Sequence, residues 1–396
     1  MCYKSICLIS TLSLLLAGCF GGSSGTAAAV VASTPSFLDS GTSLTYNSTN
    51  ASTLAATTEF QNFNYNSTSS QNPLEVINAH KAYGYGLTGA GKIIAIMDTG
   101  LSTTHSEFSA KTISTFGTLD YADGTSANKD HGLFVASIAA GENDDTDGST
   151  MQGVAPSANL HLSSYNKING NSYFPTHWAN ATDNASTAVV QNNSWGINYQ
   201  VDTLQSDISS NGWTNDYGVA QKWNSSGYTA NAASATAYIT ALNNFQDHGV
   251  IVYALSNTSS YSDADFQAAL PELFSQLNEA WITAVNVEIT GSSGNETYTR
   301  KSAPCGSTGA YCLGADGHGV SGLKGAQGST GSYWENASGD NISGTSFVAP
   351  QISGAVALLS QAFPSHTPAQ ITDRLLASAD NTFFNHDAVV TFGNGI

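Results

Sequence analysis

Residues 92–100 read Lys-Ile-Ile-Ala-Ile-Met-Asp-Thr-Gly, a short apolar run rich in isoleucine that ends on a carboxylate and a glycine. The run has the length and composition of a buried strand. Working outward, similar strands are expected at Ala158–Ser163, Ala188–Gln191, Val250–Leu255 and Trp281–Val287. Helical patterns fall between or after them, at 132–140, 233–246, 346–362 and 368–378. Upstream, Leu74, Val76, Ile77, Ala79, Ala82 and Tyr83 fit a short amphipathic helix before a glycine-rich turn. Strands alternating with helices predict an α/β fold whose parallel sheet is covered on both faces. Chemistry in such sheets sits beyond the carboxyl ends of the strands.

Composition narrows the class of partner. The 396 residues allow one large domain or two ordinary ones, and 41% hydrophobic residues suffice for a sizeable core. Only 10% are charged, and 11 Lys+Arg against 29 Asp+Glu give −18, so nothing neutralises phosphates and nucleic acid is not an expected partner. Residues 1–18 carry Lys4, an apolar run from Ile6 to Leu16, and small residues before Cys19. The run is short for a membrane span and reads as a secretory signal. Leu16-Ala17-Gly18-Cys19 resembles the bacterial lipobox, with Cys19 the lipidated first residue; the alternative is an ordinary signal cut nearby. Phe20, where Asp would resemble an inner-membrane retention signal, favours the outer membrane or cell surface. Residues 19–72, rich in Ser, Thr, Asn, Gly and Ala, read as the lipidated cysteine and a flexible tether, and 73–396 as the folded domain. With Cys2, Cys7 and Cys19 accounted for, Cys305 and Cys312 remain. In an oxidising compartment they suggest a disulfide, with free thiols or a metal pair as alternatives that no nearby ligand supports.

Two motifs mislead. Gly86–Lys92 imitates a phosphate loop, but Ile93 replaces the required Ser/Thr and Lys92 enters a strand. Gly21–Gly25 matches a nucleophile elbow by letters alone, inside the tether. Four other residues sit at element boundaries. Asp98 closes the first strand, where a turn aspartate is the plain alternative. His131 heads an apolar helix closed by Gly141, where a histidine near a cap is the alternative. Ser346 starts another helix, where it could be an N-cap, although Gly344 permits an unusual backbone approach and Pro350 follows early in the helix. Asn257 follows the strand Val250–Leu255 and could donate to an oxyanion or be a turn residue.

The order Asp, His, Ser matches one convergent solution for activating a serine. With Ile94–Gly100, His131–Ala136, Gly153-Val-Ala-Pro156 and Gly344–Pro350, the chain resembles a subtilisin-like (subtilase) serine peptidase. Asn192–Gly196 and the Cys305/Cys312 pair resemble the catalytic domain of autotransporter subtilases. The resemblance implies a three-layer α/β/α architecture with a mostly parallel, doubly wound central sheet. It implies catalysis by Ser346, His131 and Asp98, with Asn257 in the oxyanion hole and no metal. Ser194-Trp195-Gly196 resembles the segment that holds an extended substrate, and Ala254-Leu255-Ser256 the opposite pocket wall. Neither stretch carries an acid, so a hydrophobic or broad preference is expected. The acidic loop Glu142–Asp147 lies where some relatives bind structural calcium, although a solvated turn reads better. Protein or peptide substrates and a monomer are expected. The sequence departs from the family at Leu133, Phe134 and Ser137, and at Ser256, where Gly is usual. It stops at Phe392–Ile396, where relatives continue, which suggests a truncated frame or a lipid anchor in place of a barrel. Asn198–Thr229 reads as an insertion.

Overall fold

Alternation along β1 (Ile93–Asp98) divides its side chains between two cores. Ile94 and Ile96 enter one apolar cluster, Ala95 and Met97 the other, and all four are buried. A strand apolar on both faces must be central. The structure, a computed structural model, describes residues 44–63, 71–119, 130–144, 151–166, 174–292, 295–323, 333–334, 342–380, 391 and 393–395. The signal segment, Cys19, the second half of the acidic loop and the stretch 20–43 therefore lie outside the described residues.

After β1 come β2 (Ile113–Phe116), β3 (Asn159–Ser164), β4 (Val190–Asn193), β5 (Val250–Ala254), β6 (Trp281–Ser292), β7 (Asn295–Arg300) and β8 (Cys312–Ala315). They form one eight-stranded sheet in the order β2-β3-β1-β4-β5-β6-β7, with β8 also on β6. Every pairing is parallel except the β6–β7 hairpin. From β1 the chain goes to the edge strand β2, returns to β3 beside β1, and then crosses to build β4, β5 and β6 on the other side, so the sheet is doubly wound, as expected. Its switch point falls between β1 and β4, where ligand crevices open in such sheets.

Helices His131–Ala140 and Ala349–Ala362 cover one face. Pro175–Asn184, Val201–Asn211, Asn215–Ser225 and Ala232–Phe245 contribute to the core on the other. The presumed insertion thus supplies two core helices; Trp223 within it is fully buried and meets Trp178 edge-on at 5.3 Å. The strands absent from the sequence reading are β2, β7 and β8; β2 and β7 have short or polar faces, and β8 is a buried run of only four residues.

Residues 44–63, read from composition as tether, are instead folded. Ser48–Ala55 and Thr58–Gln61 are helices capped by Asn47 and Thr57. Phe60 and Phe63 are fully buried, and Asn72 Nδ2 donates to the Phe60 carbonyl. Two aromatics three residues apart anchor the segment, a signal that its polar average hides. The single helix expected near 74–83 is two, Pro73–Val76 and Ala79–Gly84, separated at Asn78, whose φ of 59° is left-handed. Cys305 and Cys312 lie at disulfide-bonding distance, with Cα atoms 6.0 Å apart.

Candidate active site

Asp98 is the last residue of β1 and is fully buried at the switch point. Its Oδ1 accepts from the Thr99 amide at 2.7 Å and pairs with His131 Nδ1 at 2.7 Å. The pairing depends on where the His131 helix begins. Its first free amides donate back to the chain leaving β1, Gly132 to Thr99 O at 2.6 Å and Leu133 to Gly100 O at 3.1 Å. These bonds satisfy donors that every helix start leaves open. Gly132 makes the approach possible, since a Cβ there would stand 2.6 Å from Thr99 O.

Burial is the largest influence on His131 and disfavours its charged form. The Asp98 charge and the hydrogen bond to it outweigh burial together, so the pKa is raised above the ordinary 6.5. The ring keeps 23% of its side-chain surface exposed, so its other nitrogen lies near the edge of the crevice.

Ser346 lies in a 3₁₀ turn, Thr345–Phe347, ahead of the helix Ala349–Ala362. The hydroxyl caps no helix. Its Oγ donates to the Ser194 carbonyl at 3.2 Å, while Ser194 Oγ donates to the Ser346 carbonyl at 3.0 Å. The loop that carries Ser346 is thereby clasped to the chain leaving β4. Asn192 Nδ2 donates to Ser194 Oγ, and Ser353 Oγ reaches Asn192 Oδ1 at 3.1 Å, which extends the clasp into the serine helix. Gly344 has φ 179°, ordinary extended backbone, so the unusual approach expected there does not occur.

Asn257 follows β5, and its orientation can be derived. The Thr345 amide lies 2.9 Å from its side chain and can only donate, so Oδ1 must face it. The Nδ2 group therefore points away from Thr345. Thr345 Oγ1 also donates to the Leu255 carbonyl, which ties β5 to the serine loop.

A cavity of about 190 Å³ opens beside Ser346. All six residues expected to hold substrate, Ser194, Trp195, Gly196, Ala254, Leu255 and Ser256, line it. Trp195 contributes chiefly to the core: it is 6% exposed and stacks on Tyr165 with ring centroids 4.5 Å apart. The sequence reading missed Asp265 in the lining, nine positions after Ser256 and outside both quoted stretches. It also missed the anchoring roles of Ser194 and Thr345, which depend on side-chain direction. A larger cavity of about 400 Å³ lies elsewhere, beside Lys111 and Glu142. Lys111 is spent there on the Pro156 and Ala158 carbonyls.

Of the acidic loop read as a calcium candidate, Glu142 accepts from the Ala110 amide, and Asp145–Asp147 lie outside the described residues. Among the described residues no cluster of His, Cys, Asp and Glu could hold a metal ion.

An aspartate–histidine pair and a serine loop at the switch point of a doubly wound parallel sheet, beside a side-chain amide and a polar cavity, form an arrangement of the kind that serine hydrolases use. The subtilase family model matches residues 89–395, and the chain belongs to that family. It is 29% identical over 354 residues to an extracellular serine protease of Serratia marcescens, covering 78% of this chain and 32% of that one. It is 26% identical over 337 residues to fervidolysin of Fervidobacterium pennivorans, covering 81% and 41% respectively. The chain thus spans about a third of the length of the Serratia protease and about two fifths of that of fervidolysin. Among solved structures, the fold is similar to the protease domain of PatA, with TM-score 0.53 and 19% identity over 78% of this chain and 93% of that one. The fervidolysin structure matches at TM-score 0.53 and 20% identity, over 80% of this chain and 44% of that one.

Proposed function

We propose that the protein is an exported serine endopeptidase that works through an acyl-enzyme formed on Ser346. The observation that carries this reading is the buried Asp98–His131 pair, 2.7 Å apart, at the sheet edge that also holds the serine loop. In this mechanism the Ser346 hydroxyl leaves the Ser194 carbonyl and donates to His131 Nε2. Ser346 Oγ then attacks the peptide carbonyl as His131 takes its proton. Asp98 keeps the Nδ1–H tautomer and stabilises the imidazolium. Charge on the carbonyl oxygen is met by Asn257 Nδ2 and the Ser346 amide. The C–N bond breaks as His131 passes the proton to the leaving amine. Water, deprotonated by the same imidazole, then frees the acid and restores Ser346. Ser194–Gly196 offers backbone groups for an extended substrate strand. The chemistry of the family needs no catalytic cofactor. The lipobox at Cys19 supports attachment to the outer membrane or cell surface through lipid, and the relatives named as extracellular proteases agree with export.

The test is cleavage of an unfolded protein by the full chain beside Ser346→Ala, with labelling by a fluorophosphonate. The parent should cleave and take the label, and the variant should do neither, with kcat reduced by about 10⁶-fold. A folded parent that neither cleaves nor labels would refute the reading.

A further inference from the structure

The cavity beside Ser346 is lined mostly by polar groups, among them Ser194, Ser256, Asn257 and the carboxyl group of Asp265. Asp265 is 1% exposed, so it lies on the deep side, whereas Asn257 is exposed at the rim. Its Oδ1 accepts from the Ser256 amide at 2.6 Å and its Oδ2 from the Ala268 amide at 3.3 Å. The amides of Asp265 itself and of Gln267 also act on the carboxylate, so its donors are backbone amides and none of them carries a charge. Gly196 lines the same cavity, and a Cβ there would stand 3.2 Å from Oδ2. Glycine at that position sets no side chain over Oδ2.

Asp265 belongs to none of the ion pairs among the described residues. The titratable groups whose fields couple to it, Tyr253 and Tyr261, are phenols with raised pKa values and supply no cation. A buried carboxylate with only neutral amides around it is costly to keep charged. Burial accordingly pushes Asp265 up to about 7, against the opposing pull of its backbone hydrogen bonds. The neutral groups nearby are already engaged. Ser256 Oγ donates to Asn198 Oδ1 and accepts from the Thr258 amide. An apolar side chain entering here would leave the acid buried without a counter-charge, whereas a cation would supply one.

We propose that Asp265 makes this cavity a receptor for a basic side chain, so that the protein cuts on the carboxyl side of lysine or arginine. The proposal rests on the endopeptidase reading above and reverses the hydrophobic or broad preference expected from residues 194–196 and 254–256. Those stretches are indeed free of acid; the fold brings one in from the segment that follows.

The experiment uses the full chain and four peptides differing only at the residue before the scissile bond: Arg, Lys, Leu and Gln. The parent should show kcat/KM for Arg and Lys at least tenfold above Leu and Gln at pH 8. Benzamidine, a small amidinium probe, should compete with the Arg peptide. Asp265→Asn should shrink the Arg-to-Leu ratio by about 10²-fold, a ratio in which any general loss of activity cancels. A parent that prefers Leu or Gln, or is indifferent to benzamidine, overturns the proposal without any variant. An unchanged ratio in folded Asp265→Asn does the same. Fluorophosphonate labelling separates the two levels of failure. A labelled parent without basic preference sinks only the Asp265 assignment. An unlabelled, inactive parent sinks the endopeptidase reading and this proposal with it.

Discussion

His131 stands between opposed influences, and the balance sets when the site can work. Burial disfavours its charge, but Asp98 overcomes burial and raises the pKa. A general base must be neutral, so kcat/KM should fall as pH drops, with a midpoint above 6.5 in the parent. Asp98→Asn removes the charge that raises the value, so its midpoint should move down while kcat drops about 10⁴-fold. A pH–rate profile of both proteins checks this; a parent midpoint below 6.5 would contradict the pairing. Asn257 acts at the same scale. Its oxygen is held by Thr345, so only its Nδ2 is available to a developing oxyanion. Asn257→Ala should therefore lower kcat by about 10²–10³ with KM little changed, read from initial rates.

The His131 helix is useful only in one position along its axis. Gly132 lets its start approach Thr99 O, where a side chain would also meet Leu101. Gly132→Ala should push the helix away from β1 at a cost of about 1–3 kcal/mol and lower kcat at least tenfold, as the His131–Asp98 bond stretches. Thermal melts and rates measured together test whether both losses appear. The helices within 48–61 make a different point. Phe60 is fully buried against the domain and meets Tyr83 edge-on. Phe60→Ala should cost about 3–5 kcal/mol, seen as a lower denaturation midpoint, whereas a tether would be indifferent to the change.

Across the whole molecule, burial also pushes Asp316, with no ion pair of its own among the described residues, up to about 7. A carboxyl raised in the folded state above its unfolded value favours folding below about pH 4. That advantage is lost as pH rises toward 7. Histidines lowered by burial, His80, His161 and His248, act in the opposite sense, so the test must isolate one group. Asp316→Asn should gain stability relative to the parent at pH 8 compared with pH 4, measured by melting temperature. An equal difference at both pH values would rule the effect out. The sequence by itself determined the central strands of the sheet and the residues at their ends, because β1 is apolar on both faces and Asp98, His131, Asn257 and Ser346 each stand at an element boundary. Local pattern carries that information, and the structure keeps those boundaries to within a few residues. Tertiary structure alone decided that Phe60 and Phe63 belong to the core, that residues 198–229 bury Trp223, and that Asp265 reaches the cavity beside Ser346. Each depends on contacts between distant segments, and neither hydrophobic periodicity nor residue spacing encodes which distant groups will meet.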